Sequence, residues 1–212
     1  SIQSGVRAAD QNERVAVAAE RYTEPVSVDK HGVRIAGVPG ATIDTGNDSA
    51  FKLNASATAV TRMNITGSGA AGVVVTDHAD EATVAQNTLS GFTTAVAVGG
   101  NDSEVLANRI TVDGMNPVLN LSGASDVVVA QNRLTPSAAD TNPTPASAGI
   151  VLESSPGVLI SDNTIAVSQE DTGNESAIQI LDNASLNGRA LRNNLDAERN
   201  DTDNTPIVAS GG

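Results

Sequence analysis

The sequence predicts an all-β solenoid, a single column of short strands wound around one axis. Three observations carry that prediction. An Asn followed two residues later by an aliphatic residue recurs at Asn87-Thr-Leu89, Asn108-Arg-Ile110, Asn132-Arg-Leu134, Asn163-Thr-Ile165 and Asn193-Asn-Leu195. Aligned with Ile65, the aliphatic positions fall 24, 21, 24, 31 and 30 residues apart. A period in the low twenties fits one turn of three short strands, and the two longer gaps imply loop insertions near 135–148 and 166–176. The third observation is the core. The 212 residues are 39% hydrophobic, yet the aromatics are only Tyr22, Phe51 and Phe92, so the interior must be layered from Val, Ile, Leu and Ala.

The rungs read in order. "GVRIAG", "ATIDTG" and "AFKLNA" make one; "AVTR", "MNITG" and "AGVVVTD" the next, with Met63 where later rungs have Asn. "ATVAQ", "NTLSG" and "TAVAVGG" follow, then "SEVLA", "NRITV" and "NPVLNLSG", "DVVVA", "NRLT" and "AGIVLES", "GVLIS", "NTIAV" and "SAIQILD", and last "GRALR", "NNLD" and "TPIVAS". Alternation of faces along a strand turns Val73 and Val75, Val96 and Val98, Leu119 and Leu121, Ile150 and Leu152, Ile178 and Ile180 inward. The bend between the first two strands then points an Asn inward, where Asn stacked on Asn can satisfy each amide in a ladder of Asn87, Asn108, Asn132, Asn163 and Asn193. Residues 1–212 form one domain, with a helical cap over 1–10 and rungs over 11–212. Seven to eight coils make a column about 35 Å tall. Ser1 can cap a helix whose Ile2, Val6 and Ala9 share a face and cover the apolar end. The closing "TPIVASGG" reads as a strand stopped mid-column, so continuation, self-assembly or a cover is expected there.

These Asn positions and three-strand rungs, with the opening "SIQSGVRAADQNERVAVAAERYTEPVSVDKHGVRIAG", resemble the right-handed parallel β-helix superfamily. That group includes pectate lyases, pectin methylesterases, polygalacturonases, mannuronan epimerases and NosD-like repeat proteins. The resemblance implies a right-handed coil and polysaccharide sites along the outward face of the third strand, here Lys52, Val74, Ala97, Asn120, Val151, Gln179 and Val208. Most of these are small or apolar. The superfamily's hydrolase elements "NTD" and "GHG" are absent, as are a P-loop, a dinucleotide fingerprint, an HExxH motif and a G-x-S-x-G elbow.

Charge narrows the partners. Sixteen Asp and nine Glu against ten Arg and two Lys give a net charge of −13, which excludes nucleic acid because no basic patch is available for phosphates. Acid excess with scarce Lys resembles proteins of halophilic organisms, where salt screens self-repulsion. No stretch is apolar enough to span a bilayer. Cys is absent, which removes disulfides and thiolate metal sites. N-x-S/T sequons at Asn47, Asn54, Asn64, Asn101, Asn120, Asn174, Asn183 and Asn200 fit a secreted glycoprotein, outside the cell or on its surface, and a first residue other than Met fits a processed protein or an excised segment.

Candidate chemistry is thin. Asp77, His78, Asp80 and Glu81 share one bend and are the candidate acid–base set. Arg109 and Arg133 follow consecutive ladder Asn residues and should stack outward, where two guanidinium groups can grip a uronate or sulfate, or pair with an acid such as Asp113. Asn120, Glu153 and Gln179 complete the candidate glycan contacts. No cofactor is required. Glu170, Asp171 and Glu175 are the candidate Ca²⁺ ligands, as in lyases of the superfamily. The expected function is a secreted or surface-displayed structural or adhesive module that binds acidic glycans or assembles with itself. The alternatives are a lyase, hydrolase or epimerase acting on uronate polymers, and a viral or appendage fibre.

Overall fold

A computed structural model describes residues 1–112, 117–136, 148–167, 176–181, 187–197 and 207–209. Among them stand three parallel sheets of eight strands each, with every coil supplying one strand to each sheet in turn. Sheet A runs from Arg14–Val17 to Arg189–Leu191, sheet B from Arg21–Tyr22 to Asn194–Ala197, and sheet C from Val26–Val28 to Ile207–Ala209. The solenoid expected from the repeat is therefore present. The stretch ahead of the first repeat is itself a full coil, paired in register with the next at Arg14↔Arg34, Arg21↔Thr42 and Val26↔Phe51.

Register follows from the alternation of small branched side chains, since a one-residue slip would turn every inward Val or Leu to solvent. Val73, Val96, Leu119, Ile150 and Ile178 form one buried file along sheet C. Val60, Val84, Val105, Val129 and Ile160 form another along sheet A. Ile43, Ile65, Leu89, Ile110, Leu134 and Ile165 form the third, along sheet B. Phe51 and Phe92 are wholly buried in this aliphatic interior. Phe92 fits because Gly67 has no side chain: a Cβ there would lie 2.7 Å from the ring.

The helix Ile2–Ala8 closes the first coil. Ile2, Val6 and Ala9 are buried as its periodicity requires, and the Ser1 hydroxyl accepts from the Ser4 amide at 3.3 Å. Side chains also close the sheet edge. Gln3 Oε1 accepts from the Ser27 amide at 2.7 Å and its Nε2 donates to the Ser27 carbonyl at 3.2 Å, so one side-chain amide stands in for the missing strand. Lys30 Nζ donates to the carbonyls of Arg7 and Ala9, both at 2.6 Å, and caps the helix C-terminus.

The Asn ladder is continuous. Each Oδ1 accepts both the amide N–H and the side-chain Nδ2 of the Asn one coil earlier: Asn108 serves Asn87 at 2.9 and 3.2 Å, and Asn132 serves Asn108 at 2.9 and 3.0 Å. Asn163 serves Asn132, and Asn193 serves Asn163, in the same way. Each Nδ2 also reaches back to a sheet A carbonyl, those of Val60, Val84, Val105, Val129 and Ile160. The ladder ends on the Met63 amide, which donates to Asn87 Oδ1 at 2.9 Å. Every residue just before this file has positive φ: Arg62, Gln86, Ala107, Gln131, Asp162 and Arg192 lie between 51 and 60°. None is Gly, so the interlocked amides hold a backbone shape that these side chains disfavour.

Candidate functional site

The tight corner between sheets A and B fixes what faces solvent. Because Asn points inward, the next residue begins a sheet B strand with its side chain outward. Register builds the outward file Asn64, Thr88, Arg109, Arg133, Thr164 and Asn194, with Thr66, Ser90, Thr111 and Thr135 in a parallel file two residues on. Arg109 and Arg133 are register partners, both exposed, about 4.8 Å apart at the backbone.

Their surroundings differ from those of Arg21 and Arg192. Where another coil places an acid beside an Arg, the pair closes: Arg21 meets Asp44 at 2.5 Å, and Arg192 clasps Asp162 through Nε at 2.7 Å and Nη2 at 2.8 Å. The hydrogen bonds from Arg192 hold the Asp162 carboxyl below its ordinary range, and Asp162 in turn raises Arg192. Beside Arg109 and Arg133 stand only Thr88 and Thr164 in the same file. Among the described residues, neither Arg makes an ion pair or a side-chain hydrogen bond. Asp113, the expected partner, lies outside the described residues. Among the described residues, then, Arg109 and Arg133 stand open beside hydroxyls.

The other candidates are dispersed. Lys52, Val74, Ala97, Asn120, Val151 and Gln179 share the outward midline of sheet C, with Val151 separating Asn120 from Gln179. Glu153 sits at the end of that sheet beside Ser122, whose hydroxyl donates to it at 3.4 Å. The five candidate glycan contacts therefore occupy two faces, with Arg109 and Arg133 together on one and the rest on the other. In the bend 77–81, Asp77 and His78 are 77% and 82% exposed and 3.4 Å apart. Asp80 accepts the Asn101 amide at 2.8 Å, which gives it a task in the stack, and Glu81 is an exposed residue at φ 58°. Among the described residues no three His, Asp or Glu side chains gather around a common point. Glu170, Asp171 and Glu175 lie outside the described residues.

One feature escaped the sequence. A concavity of about 440 Å³ opens at the A–B corner near the N-terminal end, lined among others by Arg14, Val38, Arg62, Met63, Asn64 and Gln86. Its signal was the longer corner "VPGA" at 38–41, beside corners of two residues in the coils that follow.

The Right handed beta helix region model matches residues 31–206. The chain belongs to the right-handed β-helix family. Among solved structures, a pectin methylesterase in complex with a hexasaccharide is similar at a TM-score of 0.63 and 13% identity, over 99% of this chain and 76% of that one. The Dettilon tailspike protein is similar at 0.59 and 13%, over 88% of this chain and 41% of that one. A pectin methylesterase from Yersinia enterocolitica is similar at 0.52 and 11%, over 98% and 93%. This β-helix thus spans about two fifths of the tailspike's length, and at these identities the likeness is one of fold. No curated protein matches the sequence. Among the described residues no helix is long and apolar enough to cross a membrane.

Proposed function

We propose that this β-helix is a structural or adhesive module outside the cell or on its surface that holds acidic glycans along sheet B. The observation that carries this reading is the open Arg109–Arg133 stack. Like charges placed in register destabilise a sheet, and among the described residues neither guanidinium meets a carboxylate, so an external anion with regularly spaced carboxylates or sulfates is the complement. Flanking Thr hydroxyls supply donors and acceptors for sugar hydroxyls. Two neighbours by name are pectin methylesterases and one is a tailspike, which supports a polysaccharide as the partner class.

The acid-rich remainder of the surface suits a saline medium. Stability that fails to rise with salt would remove that part of the reading. The decisive test is calorimetric titration with polygalacturonate at several salt concentrations. Affinity should fall steeply with salt, because guanidinium–carboxylate contacts across an exposed face are screened. Absence of binding at low salt would overturn the reading.

A further inference from the structure

We propose that the concavity at the A–B corner is a terminal socket: it takes the end residue of a uronate oligosaccharide whose following units run up sheet B to Arg109 and Arg133. The inference rests on the glycan reading above and adds a site and a polarity to it.

The socket arises from a mismatch between neighbouring coils. After Arg34–Gly37 the chain needs four residues, Val38 to Ala41, to reach sheet B, whereas the next coil turns with Arg62 and Met63 alone. The longer corner is held out by hydrogen bonds from the Val38 amide to the Val17 carbonyl and from the Ala41 amide to the Val38 carbonyl, both 3.0 Å. Val38 is left 40% exposed. Gly37 forms the floor, where a Cβ would lie 2.4 Å from the Arg62 carbonyl oxygen and 2.8 Å from Met63 Sδ. The recess is thus floored by Gly37 and the buried Met63 and walled at its N-terminal end by the bulged corner.

Three polar side chains of the lining, Arg14, Arg62 and Gln86, have no side-chain partner among the described residues. Arg14 faces Arg34 in register instead of an acid. Arg62 occupies the same corner file as the Asp162–Arg192 pair, but its neighbours there are Gly37 below and Gln86 above. Among the described residues neither Arg14 nor Arg62 makes an ion pair, and the Gln86 amide makes no side-chain hydrogen bond. Two free guanidinium groups, a free amide and an apolar floor suit one ring that carries a carboxylate, hydroxyls and an apolar face. Asn64 and Thr88 line the same recess and continue as the file that reaches Arg109 and Arg133. Asn64 to Arg133 is three coil steps, about 14 Å, enough for a short oligosaccharide.

The test compares trigalacturonate with polygalacturonate, titrated into wild-type protein and the Arg62→Ala, Arg14→Ala and Arg109→Ala variants. Arg62→Ala should fold normally, since Ala107 already occupies that corner position two coils later with the same positive φ. The socket predicts that Arg62→Ala and Arg14→Ala each weaken trigalacturonate at least tenfold while weakening the polymer much less, and that Arg109→Ala weakens both. Trisaccharide affinity within twofold of wild type in both socket variants, with polymer binding intact, would overturn the socket alone. Wild-type protein that binds neither probe would overturn the sheet B reading and the socket together.

Discussion

Asn132 and Arg133 are neighbours in the chain, and each stands in a file of its own kind, yet the two files do opposite work. Asn132 is 1% exposed and stacks on Asn108 and Asn163 in a chain of amides where each donor and acceptor is taken. Arg133 stacks on Arg109 at the surface, and among the described residues its guanidinium has no partner. The coil period alone repeats residues in both files. Surroundings decide what the repetition is for. A buried file must satisfy itself or the fold loses stability, whereas an exposed file of like charge that stays unsatisfied is available to an anion.

Either file can be disrupted by substitution, and the inner one should give the largest effect. Asn132→Ala leaves the Asn108 amide, the Asn108 Nδ2 and the Val105 carbonyl without their partner. Denaturant unfolding should show a loss of about 2–4 kcal/mol with an unchanged m value. A smaller effect of opposite sign is expected one residue before the ladder. Ala107 at φ 52° holds a conformation that Gly adopts freely, so Ala107→Gly should stabilise by about 0.5–1 kcal/mol in the same assay. The smallest effect belongs to the exposed Asp162–Arg192 clasp. Asp162 has a lowered pKa in the folded state, so its contribution is present above the ordinary carboxylate value and is lost as the pH falls through the lowered one. Asp162→Asn should lower stability slightly at neutral pH and converge on wild type at pH values below the lowered pKa, which flattens the acid limb of a stability–pH profile.

Much of this fold was legible because a solenoid writes its geometry into its period. The inward files of Val, Leu and Ile, the single file of Asn and the capping face of Ile2, Val6 and Ala9 follow from alternation and spacing alone. Gln3 standing in for a strand, and Lys30 capping the helix, were not legible, since both depend on side chains meeting about twenty residues apart without a repeated motif. The site was half legible. Arg109 and Arg133 could be placed in register from the ladder, but that no described residue pairs with them is visible only in the folded chain. The socket was hidden because it results from two adjacent corners of unequal length, which no single rung reveals.

The two files have separate duties, and the double variant Arg109→Ala with Arg133→Ala separates them when stability and polygalacturonate binding are read on one sample. Removing two exposed, mutually repelling charges should leave unfolding within about 0.5 kcal/mol of wild type or raise it, while affinity falls at least tenfold and its salt dependence flattens. Unchanged affinity, or a stability loss as large as that of Asn132→Ala, would contradict that separation.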